Sequence, residues 1–261
     1  MTVMTGMTGV LDRRFGGLDR LFGVSGAQQI RQAHVAIVGL GGVGSWVAEA
    51  LARSGVGYLT LIDFDQVAES NINRQIQAIK SSLGQAKVEA MRERIVSYFP
   101  ECHVTCVEAF AEPDNWPAIL PAGVNAVVDA CDQVRVKTAM AAWARKTGTL
   151  HVMVGAAGGK RHAERVSVAD VLDVTHDPLL AKVRYQLRKE FPTMGMRKKL
   201  GVTCIYSPEA VAPPDASCGV AGDGSLNCHG FGSLVTVTAS FGFCAAGVIM
   251  NNLSTLKLKQ S

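Results

Sequence analysis

His34-Val35-Ala36-Ile37-Val38-Gly39-Leu40-Gly41-Gly42-Val43-Gly44 opens the stretch that decides the fold. Ser45 to Gly55 follows, and then Leu59-Thr60-Leu61-Ile62-Asp63-Phe64-Asp65 closes it. A short apolar run ending in glycine suits a buried parallel strand. Gly39, Gly41 and Gly44 fit G-x-G-x-x-G between that strand and a helix. The three glycines provide a tight turn, a backbone that a phosphate can approach, and a helix packed close on its strand. Unpaired N–H groups and the partial positive charge at the helix start favour phosphate there. Asp63 ends the second strand, where a carboxylate meets a ribose hydroxyl. The stretch therefore reads as a nucleotide site, against the alternative of a tight turn that binds nothing.

The 261-residue chain is long enough to bury a sizeable core. It is 48% hydrophobic with 27 glycines, which suits a globular α/β protein and excludes a disordered one. A net charge of +4 permits an anionic partner without requiring one. The seven cysteines include no C-x-x-C pair, so no zinc clasp is expected. Reduced thiols and the lack of a charged-then-apolar start point to the cytoplasm.

Residues 1–10 read as disordered, and Asp12 to Gly23 as a short basic helix interrupted at Gly16-Gly17. That helix is either a solvated arm packed on the core or a functional basic element. Ser25 to Ala33 reads as a helix leading into the first strand. Gln66 to Gln77 is a polar loop beyond the second strand, at the sheet edge where open α/β proteins bind ligands. Gly84 to Phe99 is an amphipathic helix stopped by Pro100. Lys87 in its first turn opposes the helix dipole, which a nearby anion would explain, although an ordinary surface lysine fits equally. Val104 to Val107 reads as a strand, and Glu112 to Leu120 as a weak helix.

Asn125 to Asp132 is a buried strand ending in two acids, Asp129 and Asp132. Either is placed to hold magnesium or to cap the following helix, Val134 to Thr147. Leu150 to Val154 is a strand, followed by a glycine-rich turn over Gly155 to Gly159. Arg165 to Val171 and Val202 to Ser207 read as strands, and Pro178 to Phe191 as a helix. Lys182, Arg184, Arg188, Lys189, Arg197, Lys198 and Lys199 concentrate the positive charge, either as a solvated face or as an RNA footprint. Pro208 to Gly230 is a long irregular loop. Leu234 to Met250 is a nearly uncharged run, favoured as a buried or dimer-interface helix, with membrane association through 234–250 as the alternative.

Five separated elements now occur together: Gly39 to Gly44, Asp63-Phe64-Asp65, Asn71-Ile72-Asn73-Arg74-Gln75, Lys87, and Asp129-Ala130-Cys131-Asp132. Their order and spacing resemble the ubiquitin-activating-enzyme-like family, which includes the bacterial activators of thiamine and molybdopterin biosynthesis. Further stretches make the whole chain similar to its tRNA threonylcarbamoyladenosine dehydratase branch. These are Arg14 to Gly17, Arg20 to Gly23, Gly155 to Gly159, Asp177-Pro178-Leu179, Lys199 to Val202 and Cys228 to Gly232. The zinc-binding cysteine pairs of the wider family and its cysteine-bearing thioester domain are missing.

The resemblance implies a Rossmann-like, doubly wound, mostly parallel sheet with a C-terminal α+β extension, in one adenylation domain over 1–261. The nucleotide-binding part would be residues 25–155 and the substrate or dimer part 156–261. It implies ATP and magnesium as cofactors, and activation of the threonine carboxylate of the modified tRNA base as an acyl-adenylate. Another carboxylate, such as a sulfur-carrier C-terminus, is the alternative substrate. A dinucleotide-dependent oxidoreductase and a non-catalytic RNA- or protein-binding adaptor are the rivals from other classes. In the implied site, Gly39, Gly41, Gly42 and Gly44 cradle phosphates, Asp63 holds the ribose, and Asp65 is a further nucleotide-binding residue. Asn71, Arg74 and Lys87 stabilise charge on the triphosphate, and Gln75 is a further nucleotide-binding residue. Asp132 holds magnesium, with Asp129 second. Arg14 or Arg20 would reach the site of a partner in a homodimer. A cysteine-desulfurase or sulfur-acceptor partner is a further implication. Cys228 and Cys131 are read as small buried hydrophobes rather than catalytic thiols.

Overall fold

Short, largely apolar runs set the central strands of the sheet, and longer 3.6-period segments cover it. The computed structural model describes residues 8–191, 199–215, 217 and 231–256. In chain order the elements are α1 (Thr8–Gln32), β1 (His34–Val38), α2 (Gly44–Arg53), β2 (Tyr58–Ile62), α3 (Lys87–Tyr98) and β3 (His103–Val107). Then come β4 (Ala126–Asp129), α4 (Val134–Thr147), β5 (Leu150–Val154), β6 (Ser167–Asp170), α5 (Pro178–Glu190), β7 (Thr203–Tyr206) and α6 (Val235–Leu253). The seven strands lie in the order β3-β2-β1-β4-β5-β7-β6. All neighbours are parallel except β6 and β7. The C-terminal extension therefore continues the same sheet and closes it with an antiparallel edge. Strand order reverses between β1 and β4, and the crevice above such a reversal is where an open α/β sheet takes its ligand.

The central strands are buried on both faces, which is why they read as continuous apolar runs rather than alternating ones. Val35 and Ile37 face a large core with Leu51 of α2, Met91 of α3 and Phe241 of α6. Ala36 and Val38 face the other side, against Val136 and Met140 of α4. A third cluster joins β5 and β7 to α5 through Met153, Cys204, Leu180, Val183 and Leu187.

Three local expectations change. Helix α1 already begins at Thr8, so residues 8–10 are helical, and 1–7 lie outside the described residues. Its backbone leaves the helical region at Gly23 (φ 72°, ψ 161°) and not at Gly16-Gly17. Glycine in a helix costs up to about 1 kcal/mol. Here the neighbouring Phe15 is buried against Phe99, with ring centroids 4.9 Å apart, and that packing holds the turn. Glu112 to Leu120 forms successive turns instead of a helix. Pro117 has no N–H to donate and blocks continuation.

α6 is long and apolar enough to cross a membrane by length and composition. In this fold Val237, Phe241, Ala245, Ile249 and Leu253 lie in the main core. The helix crosses α2 closely: a Cβ on Gly242 would sit 2.7 Å from the Trp46 Cβ and 2.9 Å from the Val43 carbonyl oxygen. Gly242→Val should therefore push α6 off α2, costing roughly 1–3 kcal/mol as overpacking does. Chemical denaturation checks this; an unchanged midpoint would show that the crossing is looser.

Candidate active site

The site is built on the turn between β1 and α2. Gly39 has φ +89°, a region that side chains avoid. A Cβ there would lie 3.0 Å from the Ala130 carbonyl and 3.1 Å from the Cys131 nitrogen. A Cβ on Gly44 would fall on the carbonyl oxygen of Gly39. The loop is thus pressed flat on the segment that leaves β4. Gly41 meets nothing on its open side, and α2 has no side-chain N-cap. The backbone of the turn faces a cleft of about 480 Å³. Gly39, Gly41, Gly42, Asp63, Asp65, Asn71, Arg74, Gln75, Lys87 and Asp132 all line it. Gly44 is not among the lining residues; its part is helix-to-strand contact.

Asp63, at the end of β2, ties the walls together. Its Oδ2 accepts from the Leu40 N–H at 2.6 Å, and its Oδ1 from the Asp65 N–H at 2.8 Å. Burial pushes this carboxyl above its ordinary range, while the Lys87 ammonium and the two N–H groups pull it back. Lys87, the first residue of α3, is 6% exposed and donates to Asp65 Oδ2 at 2.7 Å. A carboxylate of the chain itself therefore accounts for the lysine at a helix start.

The polar loop after β2 supplies the other wall. Asn71 is buried, and its Oδ1 accepts from the Ala68 N–H at 3.0 Å. Arg74 lays its aliphatic stem over Gly42 and donates through Nη1 to the Ser70 carbonyl at 2.7 Å. Its Nε is buried with no protein acceptor among the described residues. A buried donor without a partner is costly, and an anion over the glycine turn would satisfy it. Gln77, which the sequence reading left outside the site, donates to the Leu40 carbonyl at 3.0 Å and to Gln75 Oε1 at 3.2 Å, bracing the turn from below.

The two acids after β4 separate. Asp132 is exposed in the cleft. Asp129 is fully buried and ion-paired to the equally buried Lys137 at 2.8 Å, outside the cleft lining, so it is not the second metal ligand expected. Burial alone would pull Lys137 down, but the Asp129 carboxylate outweighs it and holds the ammonium above its ordinary value. Among the described residues no three His, Cys, Asp or Glu side chains cluster as a metal cage. Asp132 alone nevertheless fits magnesium, which is usually held by one or two carboxylates together with substrate phosphates and water.

Arg14 is also elsewhere. It donates to both Glu101 oxygens at 2.8 Å and to the Tyr98 carbonyl at 3.1 Å, at the amino-terminal edge of the sheet. Within the chain it is therefore not a cleft residue, and Arg20 is exposed on α1. Cys228 and Arg197-Lys198 lie outside the described residues.

A further wall comes from Gly155 to Gly158, Leu179 and Thr238. Asp177 caps α5 by accepting from the Leu180 N–H at 2.9 Å, and also accepts from the Ala156 N–H at 2.9 Å. The Asp-Pro pair at a helix start signals the cap in sequence; the reach to Ala156 needs the fold. Thr238, on α6, has no local sequence signal at all.

The geometry has counterparts among known proteins. Residues 16–257 match the ThiF family. The tRNA threonylcarbamoyladenosine dehydratase of Escherichia coli (strain K12) is 41% identical over 257 residues, covering 95% of this chain and 96% of that protein. The protein of the same name from Haemophilus influenzae is 38% identical, covering 93% of this chain and 94% of that one. The crystal structure of the E. coli tRNA N6-threonylcarbamoyladenosine dehydratase in complex with ATP superposes with a TM-score of 0.85 at 41% identity, over 94% of this chain and 96% of that one.

Cys131 lines the cleft but turns its sulfur inward, donating to Asp129 Oδ1 at 3.1 Å. Burial, then the neighbouring Asp129 charge, pushes this thiol well above its ordinary range. The reactive thiolate is therefore scarce at neutral pH and increases only as pH rises far above it. Alkylation of Cys131 at neutral pH, followed by mass spectrometry, should be much slower than that of an unfolded peptide control. Equal rates would contradict the placement.

Proposed function

The chain belongs to the ThiF family, and from that premise we propose that it is an ATP-dependent tRNA threonylcarbamoyladenosine dehydratase. The observation that carries the reading is the unpartnered Nε of Arg74 above the glycine turn, in one cleft with Asp63 and Asp132. That set suits a nucleoside triphosphate. The near full-length similarity to dehydratases supports the rest.

In the proposed reaction the threonine carboxylate of the modified base attacks the α-phosphorus of ATP. An O–P bond forms, the bond to the β-phosphate oxygen breaks, and pyrophosphate leaves. A nucleophile within the same modified base then attacks the activated carbonyl, loses its proton and expels AMP. One water is lost from the substrate overall. No protein nucleophile is needed, which agrees with an inert Cys131. The protein must hold the reactants together and stabilise charge as it moves. The turn from Gly39 to Gly42 presents backbone N–H groups to the phosphates, and Asp63 takes the ribose hydroxyls. Arg74 and Lys87 neutralise the triphosphate, with Asn71 and Gln75 shaping the wall. Asp132 would hold magnesium, which supplies charge neutralisation at the phosphoryl oxygens when bound.

The remaining assignments also belong to this reading. The chain acts as one adenylation domain and as a homodimer in the cytoplasm, needs no zinc, and works with a cysteine-desulfurase or sulfur-acceptor partner. RNA would be bound through the basic run after Lys182. On α5, Lys182, Arg188 and Lys189 are exposed. Arg184 is not free for this role, because its guanidinium donates to the Val174 carbonyl at 2.7 Å.

The reading is tested by following radiolabelled pyrophosphate into ATP, which occurs only when adenylation is reversible on the enzyme. Exchange should require tRNA carrying threonylcarbamoyladenosine; exchange driven by a carrier-protein C-terminus instead would overturn the substrate. Asp132→Ala should slow exchange roughly a hundredfold or more, the scale of losing several kcal/mol of charge stabilisation. Unaltered exchange with unaltered magnesium dependence would remove Asp132 from the site. Replacing Lys182, Arg188 and Lys189 together with alanine should weaken tRNA binding and lower its salt slope by about one unit per lost phosphate contact. Binding equal to wild type across a salt titration would make this a solvated face.

A further inference from the structure

We infer that the buried Lys137–Asp129 pair is a positioning device that fixes the loop carrying Asp132, and through it the register of the glycine turn; the Asp132 part rests on the function proposed above. Lys137 and Asp129 are both 0% exposed. Lys137 Nζ, on α4, donates to Asp129 Oδ1 at 2.8 Å and to the Cys131 carbonyl at 2.9 Å. A longer contact of 3.4 Å reaches the Asp129 carbonyl. Asp129 Oδ1 also accepts from the Cys131 N–H at 3.3 Å and from its sulfur at 3.1 Å. Five hydrogen bonds thus converge on the residues immediately before Asp132.

A stability role alone explains this pair poorly. Apolar residues of similar volume commonly replace a buried ion pair without loss, whereas removing one partner strands a charge. The pair is also incompletely satisfied: Asp129 Oδ2 is buried and accepts from no donor among the described residues, and Nε2 of the buried His151 has no hydrogen-bond partner among them. Burial lowers His151 to about 4, so at neutral pH the imidazole is neutral and Lys137 remains the cation facing Asp129. What the arrangement achieves is orientation. The pinned segment includes Ala130 and Cys131, the atoms on which Gly39 rests at 3.0–3.1 Å from a hypothetical Cβ. The same loop therefore presents the Asp132 carboxylate and supports the phosphate turn. Residues that orient a metal-holding side chain typically change metal affinity or activity 10–100-fold when altered.

Three variants are compared by urea denaturation, by calorimetric ATP binding with and without magnesium, and by hydrogen exchange over residues 130–133. In Lys137→Met/Asp129→Leu, both charges go and the volume is kept. This protein should fold and bind ATP without magnesium as wild type does. Its magnesium affinity in the ATP complex should fall about 10–100-fold, and exchange at 130–133 should quicken. Asp129→Asn keeps an acceptor oxygen for Lys137 and Cys131 but leaves the buried ammonium without its counter-charge, so it should be less stable in urea, while the folded protein retains the wild-type magnesium response and slow exchange. A folded double variant with wild-type magnesium affinity, or wild-type exchange at 130–133, would overturn the inference. So would a folded Asp129→Asn protein that loses the response, whether or not the double variant folds. Asp132→Ala separates the two ideas. Wild-type magnesium affinity there removes Asp132 as the metal ligand, while the exchange data still decide whether the pair holds the loop.

Discussion

The structure depends on one close backbone approach, that of Gly39 to the segment leaving β4. Only a glycine with positive φ lets β1 end flush against Ala130 and Cys131. Because the turn lies flat there, α2 begins at Gly44 with its N-terminus over the switch point between β1 and β4. From that placement the other walls follow. Asp63 reaches the Leu40 N–H from β2, Gln77 reaches the Leu40 carbonyl from the polar loop, and Thr238 reaches the cleft from α6.

Charge is distributed around this turn in two layers. In the cleft, Asp63, Asp65, Lys87, Arg74 and Asp132 meet the position of a nucleotide. Behind it, Asp129 and Lys137 form a closed pair that never reaches solvent. A desolvated pair interacts far more strongly than an exposed one, so the rear layer resists local rearrangement while the front layer is available to a ligand. The same layering keeps Cys131 a thiol, because its sulfur points to the rear and not to the cleft.

Much of this was legible in the chain because the signals are local. The glycine spacing, the acid after the second strand and the proline after Phe99 each act within a turn or two, and β1, α2, β2 and α3 fall where they indicate. The wall residues Asn71, Arg74, Gln75 and Lys87 were legible as a set only through the family resemblance, and the fold brings all four to one cleft. What was not legible is non-local. Asp129 and Asp132 look alike in sequence; what distinguishes them is Lys137, inside an otherwise helical pattern and turned back into the core. Arg14 finds Glu101 across 87 residues, and no pattern around either announces it. Gly16-Gly17 look like a helix break until Phe15 packs on Phe99, and Glu112 to Leu120 look helical until Pro117 is counted as a missing donor.

The central claim is a dehydration driven by adenylation and closed within the substrate. Its most direct measurement is stoichiometric: AMP released per nucleoside that has lost one water, in a reaction of the protein with ATP, magnesium and threonylcarbamoyladenosine-bearing tRNA, analysed by nucleoside mass spectrometry. The account predicts one AMP and one pyrophosphate per dehydrated nucleoside, with no protein-bound acyl species. AMP formed while the nucleoside mass stays unchanged, or acyl groups recovered on the protein, would contradict it.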